Sequence, residues 1–320
     1  MIHSISNLVF EGGGVRGIAY GGAIEAWAKA DLLSHIKGVA GTSAGAITAC
    51  AVALKYSAVE ISNIIAHMDL ASFEDKDREF RRMKDFGLYE GEVFLAWIGE
   101  LIANSTIGQG KTDLTFEELV ARKGMDLKVY ATDLFTQSLK EFSVHTTPSV
   151  PIAEAVRASM SIPLYFDAWK FSNNNPDDHF YVDGGVMYNF PIGAFDKPEE
   201  GKPNTETLGF NLMNLSGQEV FTPFEHGDFG KYTKSLLNTL LYTQIVALEK
   251  SVTDSNRTVT IDHLGVGATD FEIDRATKNK LLQSGWDITV AFLQKQGIDT
   301  SAFGSPTLLD EDEEQSRVLS

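Results

Sequence analysis

Gly41-Thr42-Ser43-Ala44-Gly45 is the stretch on which the reading of this chain turns. The run Ile36-Lys37-Gly38-Val39-Ala40 before it is β-type, and Ala44 to Lys55 after it is helix-forming. A serine between two glycines at a strand-to-helix turn is the pattern of a nucleophile elbow. So tight a reversal needs unusual φ/ψ and no bulk beside the serine, whose Oγ must project into open space. The helix that follows aims its first N–H groups and its positive dipole end at the same point, which favours negative charge developing there. The same residues would also suit a helix start chosen only for close packing on a sheet, and short matches of this kind occur by chance. Taken alone, the stretch leaves both readings open.

Working outward, Leu8-Val9-Phe10 reads as a short buried strand entering Glu11-Gly12-Gly13-Gly14-Val15-Arg16-Gly17, after which Tyr20, Ala23, Ile24 and Trp27 recur at helical spacing. Three successive glycines leave backbone N–H groups unobstructed, as either a phosphate cradle or an oxyanion hole requires. Gly12, Gly14 and Gly17 also spell G-x-G-x-x-G, so a nucleotide-binding oxidoreductase is a rival reading, with a non-catalytic interaction protein as a third. That rival expects an acidic residue about 20 positions on, at the end of the second strand. No Asp or Glu occurs between Asp31 and Glu60, which favours the oxyanion reading.

On the other side, Ala168–Phe171 and His179–Val182 read as a hairpin around the turn-rich residues 172–178. Its second strand delivers Asp183 into Gly184-Gly185, where catalytic groups emerge from an α/β sheet. A plain turn-initiating Asp-Gly is the alternative. Further strands are expected at Leu127–Asp133, Leu139–Val144, Thr207–Met213 and Arg257–Ile261, the first two as a hairpin. Expected helices include Glu60–His67, the apolar Glu92–Ala103, a short one opened by a capping box at Thr115-Phe116-Glu117-Glu118, and one led by Pro151 that ends before Pro163. Leu237, Leu241, Ile245 and Leu248 mark an amphipathic helix, Leu281–Leu293 lies within a last one, and Glu74–Lys84 is a charge-dense connection. The helix around Val93–Ile102 reads as core in preference to a lipid-facing lid.

The 320 residues, 43% of them hydrophobic, suffice for one large α/β domain. A net charge of −17 argues against nucleic acid as a partner and offers no general attraction to anionic membranes. The single cysteine, Cys50, sits in an apolar run and reads as core filling. The seven histidines are scattered and no metal-ligand spacing stands out, so neither metal nor cofactor is expected. Residues 1–303 read as one domain and 304–320 as an acidic, disordered tail. The N-terminus lacks the pattern of a cleaved signal, which points to a cytoplasmic protein with peripheral membrane contact and leaves export by a specialised bacterial system open.

Taken together, the glycine loop, the elbow and the Asp-Gly turn are far more specific than any one of them. The chain resembles the patatin-like phospholipase family, whose members carry G-G-G-x-R/K-G, G-x-S-x-G and D-G-A/G in this order. The likeness runs from Leu8 to about Leu293 and includes Gly87-Leu88-Tyr89, Thr132-Asp133, residues 157–163, Asn189-Phe190-Pro191 and Thr269-Asp270-Phe271. It implies a three-layer α/β/α sandwich with a central, mostly parallel sheet. It also implies a Ser43–Asp183 dyad without histidine, and an oxyanion hole from Gly12, Gly13 and Gly14. Arg16, Gly17, Gly41, Gly45, Gly184 and Gly185 are the supporting motif positions, with Arg16 either bracing the loop or attracting a lipid phosphate. The implied substrate is a phospholipid or other acyl-ester lipid at a membrane surface, with a protein activator left open. A carboxylate with an ordinary pKa of about 3.9 is a weak base for an alcohol, so Asp183 must be desolvated in an apolar cleft.

Overall fold

Seven strands form one sheet in the computed structural model, which describes residues 2–73, 86–87, 89–197, 202–215, 217, 232, 235–236, 239 and 252–310. Strands β1 (Asn7–Phe10), β2 (Gly38–Thr42), β3 (Asp126–Asp133), β6 (Thr207–Met213) and β7 (Thr258–Asp262) are mutually parallel, and β4 (Ser138–Phe142) runs antiparallel to β3. The order across the sheet is β4-β3-β2-β1-β6-β7. Every residue of β1 and β2 is buried, as expected of parallel strands covered on both faces. Side chains alternate with the period of two. Leu8, Phe10, Val39 and Val129 enter the large helix-covered core, whereas Val9, Ala40 and Tyr130 join Phe190 and Ile192 in a smaller cluster.

Helix α1 (Ala19–Lys29) leads from the glycine loop and α2 (Ala44–Ala53) from the elbow. α2 packs on β1, β2 and β3, while α1 lies against α3 (Ala58–His67) and the late helix α7 (Arg275–Lys295). A Cβ at Gly22 or Gly285 would overlap a backbone carbonyl of the opposing helix, which explains why small residues face each other there. Helices α4 (Glu92–Asn104) and α6 (Ile152–Ser159) pack together, and α6 also lies on β3. α5 (Phe116–Ala121) opens with the expected capping box between Thr115 and Glu118. As expected, α4 is mainly core, with Phe94, Ile98 and Ile102 buried and only Val93 among its large apolar residues exposed.

Strand β5 (Tyr181–Asp183) sets the geometry of the centre. One edge of β3 is paired with β4 along Val129–Asp133. Its other edge carries β2 as far as Thr42 opposite Tyr130, and then β5, with Asp183 opposite Ala131 and Tyr181 opposite Asp133. β2 and β5 therefore meet head to head on a single edge. The hairpin expected between residues 168 and 182 is reduced to one antiparallel bridge, Trp169 with Tyr181. It goes no further because the Asp183 N–H is taken by the Ser161 carbonyl at 2.8 Å.

The tail expected to be loose from residue 304 is held further than that. Thr307 donates its backbone N–H and its hydroxyl to Glu25, each at 2.9 Å, and the Leu309 N–H reaches Asn279 Oδ1 at 2.9 Å. The helix expected around Leu237–Leu248, the stretch Glu74–Lys84, Leu88 and residues 311–320 lie outside the described residues.

Candidate active site

Ser43 occupies φ 54°, ψ −128°, a conformation that side-chain-bearing residues rarely adopt. Its neighbours hold it there. Its N–H donates to Ser159 Oγ at 2.8 Å, and Ser159 in turn donates to the Tyr130 carbonyl at 2.6 Å. Its carbonyl accepts from the Ala46 N–H at 2.8 Å, starting α2. A Cβ at Gly45 would come within 2.6 Å of the Glu11 carbonyl, so the elbow presses directly on the end of β1. Ser43 is 5% exposed, and its hydroxyl points at Met160 Sδ, 3.4 Å away.

Asp183 stands on the far side of the junction between β2 and β5. Its Oδ1 accepts from the Gly185 N–H at 2.7 Å, and its carbonyl accepts from Thr132 Oγ1 at 3.0 Å. Gly184 is required by contact as well: a Cβ there would sit 2.8 Å from Thr42 Cγ2. Burial pushes the Asp183 carboxyl up to about 6, against the opposing pull of the Ser43 hydroxyl and the Gly185 N–H. Such a group is ionised at neutral pH and is a far better proton acceptor than an ordinary aspartate. Among the described residues no histidine hydrogen-bonds to Ser43 or Asp183; His179 pairs with Asp133.

The glycine loop passes beside the elbow, close enough that a Cβ on Gly12 would lie 3.1 Å from Ser43 Cβ. Gly12 cannot serve as an oxyanion donor in this conformation, because its N–H donates to the Asn189 carbonyl at 2.9 Å. This corrects the expectation that all three glycines donate. Among the described residues the N–H groups of Gly13 and Gly14 have no protein acceptor. Gly14 adopts φ +55°, and a Cβ there would overlap the Ala268 carbonyl, so only glycine fits without moving the loop. Arg16 Nε donates to the Val266 carbonyl at 2.6 Å, tying the glycine loop to the segment after β7. The dinucleotide reading lacks its acid, since β2 ends at Thr42.

Sequence reasoning left several supporting residues without a role. Buried Glu11 accepts from the Leu212 N–H at 2.7 Å and from Asn189 Nδ2 at 3.0 Å, tying the start of the loop to β6. Burial pushes its carboxyl up to about 7. Arg157, fully buried, donates to Ser161 Oγ at 2.6 Å and to the Gly91 carbonyl at 3.1 Å, and lies over the rings of Phe166 and Trp169. Ser161 is the residue that receives the Asp183 N–H, so Arg157 steadies the carboxylate's backbone. The available signal for Arg157 was a cation set among the alanines and valine of this helix; for Ser159 and Met160 there was none beyond their place in the run 157–163.

Comparison with known proteins points to one family and one fold. The model of the family described as Patatin-like phospholipase matches residues 8–196. Over 306 residues the chain is 30% identical to the uncharacterized protein YqhO of Bacillus subtilis, covering 90% of this chain and 97% of that one. A probable lipid hydrolase, 463L of Invertebrate iridescent virus 6, is 28% identical over 187 residues, which are 58% of this chain and 61% of that protein. Among solved structures, VipD of Legionella pneumophila superposes with a TM-score of 0.64 at 17% identity, covering 91% of this chain and 67% of VipD. That likeness concerns the fold.

Proposed function

The chain belongs to the patatin-like phospholipase family, and from that premise we propose that it is a serine lipid acyl hydrolase working through a Ser43–Asp183 dyad. The observation that carries this reading is the head-to-head meeting of β2 and β5 on β3. It sets a strained serine hydroxyl against a carboxylate whose pKa burial has raised to about 6.

In this mechanism Ser43 Oγ attacks the ester carbonyl carbon of an acyl lipid while Asp183 takes its proton. The N–H groups of Gly13 and Gly14, with the first N–H groups of α2, hold the oxyanion. Collapse of the tetrahedral intermediate expels the lipid alcohol, which recovers the proton from Asp183. Asp183 then draws a proton from water, which attacks the acyl-enzyme; the Ser43 Oγ–acyl bond breaks, the fatty acid leaves and Ser43 recovers that proton from Asp183. Phospholipid is the proposed substrate class, supported by the family and by the lipid hydrolase relative.

A fluorophosphonate probe tests the nucleophile. It should label the wild-type protein at Ser43 and spare Ser43→Ala; equal labelling of both sinks the assignment. Lipid analysis of membranes incubated with each protein tests the substrate class, with free fatty acid and lysolipid rising only for wild type.

A further inference from the structure

Helix α4, expected to be core, offers little apolar surface to a membrane, with Val93 the one large apolar side chain it exposes. A different element carries large apolar side chains into solvent. Leu134 and Phe135, in the turn after β3, are 48% and 77% exposed, and Phe180, at the entry to β5, is 40% exposed. The three are joined: the Leu134 N–H donates to the Phe180 carbonyl at 2.9 Å, Phe135 stacks on His179 with ring centroids 4.5 Å apart, and Phe180 meets Phe86 edge-on at 5.8 Å. Their exposure is built in. Asp133 Oδ1 accepts from the N–H groups of Phe135 and Thr136 at 2.8 and 3.1 Å, which holds the turn in one shape and presents Phe135 outward.

Position on the sheet gives this tip its meaning. β2 and β3 are parallel with Thr42 opposite Tyr130, and β3 continues for three residues beyond that pair, to Asp133. At a rise of about 3.3 Å per residue the tip stands about 10 Å beyond the elbow, along the direction in which Ser43 emerges. Amphipathic elements that rest on bilayers sink about 5–10 Å into the boundary between head groups and acyl chains. A tip inserted to that depth brings the level of Ser43 to the plane of the ester carbonyls.

We infer that Leu134, Phe135 and Phe180 form a membrane-docking tip that inserts into a zwitterionic phospholipid surface and sets Ser43 at ester depth. The inference rests on the lipid hydrolase reading of the dyad. Charge decides which surface. Among the described residues beside the tip, Lys170 pairs with Asp178 and Lys140 with Asp177, and the chain as a whole carries −17. Apolar insertion, and not attraction to anionic lipid, therefore drives docking.

Co-sedimentation with phosphatidylcholine vesicles, in a Ser43→Ala background so that the lipid stays intact, measures the tip by itself. Leu134→Ala with Phe135→Ala should lower the partition coefficient about 100-fold, roughly tenfold for each lost anchor. Val59→Ala, an exposed apolar residue on α3, should leave it unchanged, as should added salt. Phe135→Trp should blue-shift its emission on adding vesicles. With Ser43 intact, the double variant should hydrolyse a water-soluble short-chain ester at the wild-type rate and vesicle lipid more slowly. Equal partitioning with and without the tip overturns the proposal. So does a wild-type protein that ignores vesicles, which would leave the tip to a protein partner. Soluble-ester turnover separates the two layers of inference: its absence from wild type defeats the hydrolase reading, whereas its presence beside failed docking defeats only the tip.

Discussion

Asp133 closes β3 and Asp183 closes β5, two register positions apart on paired strands, yet their carboxyls are shifted in opposite directions. Burial raises both. Asp133, at the outer end of β3, is as well buried but collects His179 Nδ1 at 2.8 Å and the N–H groups of Phe135 and Thr136 as donors. Together they hold it below the ordinary aspartate value. Asp183 lies beside the elbow with one backbone donor and the Ser43 hydroxyl, and burial wins, to about 6. The lesson is that a buried carboxylate becomes a base when its donors are too few to compensate for lost water, and a structural anchor when they suffice.

The largest effects should separate these two residues by rate. Ser43→Ala and Asp183→Asn should each lower turnover on the order of 10,000-fold or more, and the double variant should be hardly worse, because members of one catalytic unit are not additive. Asp133→Asn should cost less than about tenfold. An Asp183→Asn protein that retains turnover per folded molecule would collapse the distinction. Next in size, Gly14→Ala should cost about 100- to 1000-fold, since the added Cβ meets the Ala268 carbonyl and displaces the loop's donors.

Stability should divide the pair by sign. The pKa of Asp183 is raised on folding, so its contribution is fully present below about pH 4 and is lost as pH rises through about 6. Asp183→Asn should therefore stabilise the protein at pH 8 by about 3 kcal/mol, the 1.36 kcal/mol of each unit taken over a shift of about two, and should do little at pH 3.5. Asp133 has a lowered pKa. Its contribution is present above about pH 4 and is lost as pH falls through the folded value, so Asp133→Asn should destabilise at neutral pH. Thermal melts across pH read both signs. Turnover should fall about tenfold per pH unit below about 6, following protonation of Asp183.

Smaller still, Ser159→Ala leaves the Ser43 N–H and the Tyr130 carbonyl without their partner, and should cost about 1–3 kcal/mol of stability. Chelation with EDTA should be the least of all, leaving turnover unchanged; loss that calcium restores would break the dyad mechanism.

Much of the sheet was legible because its signals are local. Short apolar runs and glycine punctuation mark β1, β2, β3 and β6 to within a residue or two, and the elbow at Ser43 announces itself by its flanking glycines. The fate of the Gly12 N–H was not legible, because its acceptor is the backbone of Asn189, far along the chain. Nor was the direction of Phe135 and Phe180. An apolar residue in a turn reads the same in sequence whether it faces core or solvent, and for Phe135 a hydrogen bond to Asp133 settles the matter.

By itself the sequence determined the pieces: a strained turn at Ser43, a glycine loop with free donors, and an acid at a strand end. Each depends on which φ/ψ and which side chains a few consecutive residues permit. Only the tertiary structure decided that the pieces form one centre. That follows from the register of β5 on β3, which sets Asp183 opposite Ala131, next to Tyr130 where Thr42 pairs, and so abuts two strands about 140 residues apart in the chain. Burial follows from the same assembly. It is the packed surroundings, not the identity of the residue, that raise Asp183 toward neutral pH and leave Asp133 low.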